Sequence, residues 1–148
     1  MNEFFFAQKA FIIADGALLA VCKSADDPNQ PGLWEVPGGR MSFGEEVDEH
    51  LKREVREEVG LDVVPGHPFH IWQWQLSRPG NDGTTRNIQI VAVARLCEKV
   101  GGSLSDAGRV ADDFLGEMRW VPFSDLDSIK WIPNMLPVIE AFKRNQGQ

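Results

Sequence analysis

A chain of 148 residues with 43% hydrophobic and 25% charged side chains has the size and composition of one ordinary globular domain, which excludes disordered, collagenous and coiled-coil readings. Its formal charge of −7 repels a polyphosphate backbone, so long nucleic acid is not an expected partner, and a small phosphorylated substrate would need bound cations. The longest apolar runs, around Phe4–Phe6 and Ala10–Ala14, are far too short to cross a bilayer. Asn2, Glu3, Gln8 and Lys9 break any signal-peptide pattern, so a cytoplasmic protein without a membrane partner is expected.

The Phe- and Ile-rich segment from Phe4 to Ala14 predicts a strand, Asp15-Gly16 a two-residue hairpin turn, and Ala17 to Lys23 the returning strand. Ser24 to Gly32 is a loop by composition, Trp34-Glu35-Val36 a short extended piece, and Pro37-Gly38-Gly39 a sharp break. Ser42-Phe43-Gly44-Glu45 has the form of a capping box, so a helix is expected from there to about Val59, with Gly60 at its end. Leu61–Val64 and Phe69–Leu76 predict two strands around a Pro-Gly turn, Arg78–Thr84 a loop, and Asn87–Leu96 a further strand. The stretch Gly101–Asp113 is polar and loop-like, Glu117–Val121 a short strand. Met135, Val138, Ile139 and Phe142, spaced i, i+3, i+4, i+7, mark a closing helix. The pattern is that of one mixed α+β domain over 1–148. Cys22 and Cys97 lie in apolar segments without metal-ligand spacing and are expected as free thiols; His50, His67 and His70 form no ligand pattern either.

The chemistry concentrates between Gly39 and Leu61. On a helical wheel Val47, Leu51, Val55 and Val59 form one apolar stripe, while Glu54, Glu57 and Glu58 share a bordering face, with Glu58 inside the stripe's angular range. Three clustered carboxylates repel one another, and one placed among valines also loses solvation. Arg53 can pair with Glu57, but one guanidinium cannot neutralise three acids. A hard divalent cation, Mg²⁺ or Mn²⁺, does so through carboxylate oxygens. Without it the same residues would form a solvated, salt-bridged helix face.

From Gly39 the chain runs five residues to Glu45, seven more, then Arg53-Glu54-Val55-Arg56-Glu57-Glu58-Val59-Gly60-Leu61. This resembles the Nudix box, Gly-x5-Glu-x7-Arg-Glu-U-x-Glu-Glu-x-Gly-U with U aliphatic, at every fixed position. At ordinary residue frequencies a chance match in so short a chain is on the order of one in ten million. Gly32-Leu33-Trp34-Glu35-Val36-Pro37-Gly38 is similar to the family's usual approach to the box, and the element order resembles the family's fold over nearly the whole chain. The resemblance implies an α/β/α sandwich with a central mixed sheet and a box loop–helix–loop. It also implies metal-dependent hydrolysis of a nucleoside diphosphate linked to another group.

Carried over by position, the resemblance makes Glu54, Glu57 and Glu58 metal-binding glutamates, with the Gly39 carbonyl as a backbone ligand. Arg53 becomes the arginine that holds a glutamate by ion pairing. Glu54 or Glu57 is then the expected proton acceptor. Glu45 matches the first box acid, though capping explains it as well. Asp112, Asp113 and Glu117, just before the Trp120 strand, fall where the family often places another acid; otherwise they are a solvated acidic loop. The chain has no Tyr, and Pro79 is offset from the proline that marks many ADP-ribose enzymes. The resemblance therefore defaults to a MutT-like nucleoside triphosphatase releasing pyrophosphate and a monophosphate. An ADP-ribose or nucleotide-sugar pyrophosphatase and a non-catalytic nucleotide sensor are the alternatives. Asn134 resembles a base-reading Asn of some MutT-type members, or caps the last helix. Trp72 and Trp74, on one strand face, either stack on a base or pack as wall. The expected partner is a small nucleotide, and a homodimer is compatible with the chain.

Overall fold

The computed structural model describes residues 1–146, and its core is split by a sheet into two layers. Strand β1 (Asn2–Ala14) is central. It turns through Asp15 and Gly16, both at positive φ (50° and 75°) as a tight hairpin requires, into β2 (Ala17–Lys23). Then follow β3 (Trp34–Glu35), β4 (Gly38–Arg40), helix α1 (Val47–Val59), β5 (Leu61–Pro79), β6 (Thr85–Gly102), β7 (Leu115–Pro122) and helix α2 (Leu136–Asn145). The main strand order is β3-β2-β1-β6-β5, with β4 added to β1 and β7 to β2. β1 and β6 run parallel and the other pairs antiparallel, so the sheet is mixed.

Period-two alternation divides β1 between the layers. Ala10 and Ile12 join Leu19, Val21, Leu61 and Val63 under Leu51, Val55 and Val59 of α1. Phe11 faces the other way, among Leu18, Ala94, Val138, Ile139 and Phe142 under α2. Phe142 lies 5.1 Å from the Phe11 ring and 5.5 Å from that of Phe123. Each such fully buried side chain contributes about 1.5–3 kcal/mol of transfer free energy. The arrangement is the α/β/α sandwich implied by the box; Val138, Ile139 and Phe142 of the expected stripe are buried on α2, and Met135 is buried in the 3₁₀ turn just before it. Among the described residues no helix is long and apolar enough to cross a membrane.

The structure corrects several local expectations. Ser42–Glu45 is not the helix cap: Gly44 sits at φ 91°, which no helix continues through, and the segment closes a turn of its own (Glu45 N–H to Ser42 O, 3.2 Å; Ser42 N–H to Glu45 Oε1, 2.9 Å). The cap is Glu46, whose carboxylate accepts from the N–H groups of Asp48 and Glu49, both at 3.0 Å. Val47, in the first turn, is 43% exposed rather than part of the buried stripe. The two strands expected around Pro65-Gly66 are one long β5, because irregular pairing at Pro65 and Pro68 absorbs the missing donors without breaking the ladder to β6. Gly101-Gly102 ends β6, and the loop after it closes with a short 3₁₀ turn at Ala111–Asp113. Helix α2 has no side-chain cap, so Asn134 does not serve as one.

Pro37-Gly38-Gly39 does not break the chain into a loop either. Gly38 and Gly39 form β4 with Arg40, pairing with Lys9, Gln8 and Ala7 of β1. Gly38 has φ 146°, and a Cβ there would lie 2.1 Å from the Gln8 carbonyl oxygen. Gly38→Ala is therefore expected to lower stability by roughly 2–3 kcal/mol through backbone strain, measured by urea denaturation. A variant as stable as the parent would show that β4 need not approach β1 so closely.

Candidate active site

Helix α1 ends at Gly60, in the left-handed conformation (φ 78°) with its N–H on the Arg56 carbonyl, and this stop presents the last two turns to β4. Glu58, inside the apolar stripe, is only 6% exposed; its Oε2 accepts the Gly38 N–H at 2.7 Å. Burial pushes its carboxyl well above the ordinary range. Lys9 opposes that shift, while the charges of Glu35 and Glu54 add to it. Glu54, one turn earlier, lies against Gly39, where a Cβ would stand 2.8 Å from Oε1 and 2.9 Å from Oε2. Only a residue without a side chain leaves this carboxylate room beside the backbone.

Arg53 organises the outer side. Its Nε and Nη2 donate to Glu45 at 2.7 and 2.9 Å, its Nη1 donates to Glu57 at 3.1 Å, and Nη2 lies 3.4 Å from Glu54 Oε1. The paired guanidinium geometry is directional as well as charged. It holds the Glu45 carboxyl down to about 2, with the Ser42 N–H assisting, from an ordinary value of 4.5. Since the folded value is the lower, the clamp's contribution to stability is complete above about pH 4.5. It is expected to vanish as pH falls through about 2. Melting curves of the parent and of Glu45→Gln should accordingly differ at pH 6 and converge toward pH 2; a gap that stays constant would count against the clamp.

Beneath the site runs a buried ion chain. Lys9 Nζ donates to Glu35 Oε1 at 2.6 Å and to the Val36 carbonyl at 3.3 Å. Lys23 lies 3.1 Å from Glu35 Oε2 and donates to the Asp113 carbonyl at 2.9 Å. Burial disfavours both charges of the Lys9–Glu35 pair, yet surrounding opposite charges outweigh it: Glu35 and Glu58 hold Lys9 above its usual value, and Lys9 and Lys23 hold Glu35 below its own. Arg109 spans the far end, donating from Nε to the Glu58 carbonyl at 2.8 Å and from Nη1 to that of Gly116 at 2.9 Å. Apart from the reach of Arg109 to Gly116, these links join residues far apart in sequence. The only hint was the presence of charges within apolar strands.

Glu54, Glu58, Gly38, Gly39, Arg40, Phe5, Phe43, Ile90 and Asp113 line a cleft of about 680 Å³. Of Asp112, Asp113 and Glu117, the last of which falls within β7 rather than before it, Asp113 alone reaches the cleft. Burial raises the Asp113 carboxyl, and the neighbouring charge of Glu54 raises it further. Asp112 is exposed, and Glu117 is paired with Arg119 at 2.9 Å on β7. Glu57 stays with Arg53 beside the cleft. Trp72 and Trp74 share a face of β5, with ring centroids 5.8 Å apart, and pair across β6 with Ala92 and Ile90. The Trp72 indole N–H donates to the Asn134 carbonyl at 2.8 Å, so wall and pre-helix turn are joined. Phe5, opposite Ile90 on β1, extends this apolar wall toward Arg40, whose guanidinium lies 4.4 Å from the Phe5 ring.

Among the described residues no three His, Cys, Asp or Glu side chains are gathered into a closed metal cage. The donor set is nonetheless of the right kind for a hard divalent cation: carboxylate oxygens of Glu54 and Glu58 beside a bare glycine backbone, with Asp113 across the cleft. A carboxyl as buried as Glu58 is stabilised in its charged form by such an ion.

A mixed sheet between two helices, with a glutamate-bearing loop–helix–loop opening on a cleft, is the architecture of a NUDIX domain. The family model described as NUDIX domain matches residues 7–142, and the chain belongs to that family. Over 83 residues it is 35% identical to the nucleoside triphosphatase NudI of Enterobacter sp. (strain 638), an overlap covering 54% of this chain and 59% of that relative. Over 51 residues it is 51% identical to NudI of Escherichia coli (strain K12 / DH10B), covering 34% and 36% of the two chains. The matched stretches thus span less than two thirds of these relatives. The fold is also that of a MutT protein from Methanosarcina mazei Go1, with a TM-score of 0.71, 21% identity, and 99% and 98% of the two chains covered.

Proposed function

We infer that the protein is a divalent-metal-dependent nucleotide pyrophosphohydrolase. The substrate is a nucleoside or deoxynucleoside triphosphate, cleaved by water at phosphorus to a monophosphate and pyrophosphate in the cytoplasm. The observation that carries this reading is the meeting of Glu54 and Glu58 with the Gly38-Gly39 backbone at the head of a cleft continued by Phe5 and Ile90. The similarity to nucleoside triphosphatases named NudI supports the substrate class.

In this reading Glu54, Glu58 and the Gly39 carbonyl would hold Mg²⁺ or Mn²⁺, with Glu57 available from its Arg53 pairing. When bound, such a cation would neutralise charge on the diphosphate and acidify water. Glu54, on the cleft wall, accepts the proton of the attacking water. Arg53 keeps Glu45, Glu54 and Glu57 in one array, so that the acids do not swing apart under mutual repulsion. Trp72 and Trp74, which pack in one apolar cluster with the cleft residues Phe5 and Ile90 without lining the cleft themselves, would contribute stacking to the base, and Asn134 would contact its edge.

A panel of nucleoside triphosphates, ADP-ribose, nucleotide sugars and dinucleotides, assayed with Mg²⁺ and Mn²⁺, tests the reading. Pyrophosphate release from triphosphates is expected. Preferred cleavage of ADP-ribose or a nucleotide sugar would move the substrate class, and no turnover of any member would remove the enzymatic reading.

A further inference from the structure

His50 lies on α1 one turn before Glu54, is fully buried, and plays no part in the box pattern. Its ring orientation can be read from its neighbours. The Gln8 amide donates from Nε2 to the Val47 carbonyl at 2.7 Å, and its Oε1 accepts from Arg95 Nη1 at 3.3 Å. Flipping the amide would set oxygen against a carbonyl and NH₂ against a guanidinium, so this orientation is determined. The 2.8 Å contact between Gln8 Nε2 and His50 Nδ1 is therefore a donation to the ring. Nδ1 holds the lone pair and the ring's proton sits on Nε2.

That Nε2 is buried and has no hydrogen-bond partner among the described residues. Facing it, at 3.8 Å, is Glu54 Oε1, the oxygen that Arg53 Nη2 also approaches at 3.4 Å. A shift of about 1 Å brings the imidazole and the carboxylate into hydrogen-bonding range. Behind His50 the chain continues from Gln8 to Arg95, which lies 2.6 Å from Asp48 and donates to the Gly66 carbonyl at 2.9 Å. A buried amide, locked at both ends, thus fixes a donor aimed at one oxygen of one box glutamate.

We propose that His50 is a positioning residue for the active site: its Nε2–H, with Arg53, engages Glu54 Oε1 and leaves Oε2 to the bound cation. The proposal rests on the metal-site reading above and adds to it a residue outside the box. Carboxylates that bind metals are oriented by such outer partners, whose loss typically weakens metal binding about 10- to 100-fold.

The test uses the full chain. Long-range ¹H–¹⁵N spectra should show His50 as the Nε2–H tautomer; the Nδ1–H form would overturn the proposal whatever any variant does. Mn²⁺ affinity, followed by electron paramagnetic resonance without substrate, should fall about tenfold or more in His50→Leu and be largely retained in His50→Gln, which keeps a donor. Melting curves confirm that each variant is folded. No Mn²⁺ binding by the parent would sink the metal-site reading and this proposal with it. Binding by the parent that His50→Leu leaves unchanged would overturn the proposal alone.

Discussion

Glu54→Gln is expected to lower kcat by about two to four orders of magnitude while leaving the protein folded, because the amide can neither accept the proton of water nor carry the charge that a cation requires. The substitution is nearly isosteric, so the close approach to Gly39 is preserved. Arg53 retains Glu45 and Glu57 as partners. One negative charge also leaves the neighbourhood of buried Glu58, whose carboxyl is pushed up in part by Glu54. Stability should therefore hold or rise as activity collapses, the opposite of what a structural ion pair would give. Steady-state kinetics at saturating Mg²⁺, alongside urea denaturation, separates the two. A variant within about tenfold of the parent would transfer the proton-accepting role elsewhere, with Asp113 across the cleft the first place to look.

The box glutamates were legible because their evidence is local. A fixed spacing on one helix places Glu54 and Glu58 on one face, and the apolar stripe predicts that Glu58 is buried, as the structure shows. The hairpin at Asp15-Gly16 and the stop at Gly60 were legible for the same reason: each depends on backbone conformations that few residues adopt. What surrounds the glutamates was not. Gln8 and Lys9 looked in the sequence like polar interruptions of an apolar strand. In the fold they are buried and reach residues 42 and 26 positions away. Arg109, in a stretch that reads as a plain polar loop, donates to a carbonyl 51 positions back.

The helix start was misplaced because a capping pattern states only that a turn can close there. Gly44, at a positive φ, makes that turn end before the helix begins. That Asp113, rather than Asp112 or Glu117, reaches the cleft goes with an anchor 90 positions away, the Lys23 ammonium on its carbonyl. Sequence periodicity thus reports which face of an element is buried. It does not report which distant charge accompanies the burial.

Lys9→Met is expected to destabilise the protein by roughly 3–5 kcal/mol, the range found when one member of a buried ion pair is removed. For a chain of this length that lowers the melting temperature by roughly 10 °C. Lys9 and Glu35 are almost withdrawn from solvent, their side chains only 10% and 13% exposed. Without the ammonium group Glu35 keeps Lys23 at 3.1 Å, but buried Glu58 loses the cation that offsets its desolvation. The loss has a defined pH window. Lys9 titrates above its ordinary 10.5 in the fold, so its contribution is complete below that value and disappears only as pH rises through the higher folded one. Glu35 titrates below 4.5, so its side of the pair is complete above that value. Between about pH 5 and 10 the part of the deficit that belongs to the Lys9–Glu35 pair should be flat, while the part that falls on Glu58, whose raised carboxyl loses Lys9, should grow as that carboxyl ionises. Adding Glu35→Leu to Lys9→Met should restore part of the stability, since an apolar pair removes the uncompensated charge instead of stranding it. Equilibrium denaturation of the parent, both single variants and the double variant at pH 7 measures the coupling. A double variant no more stable than Lys9→Met would mean that the burden falls on Glu58, so that the ion chain supports this buried carboxylate more than the strand it crosses.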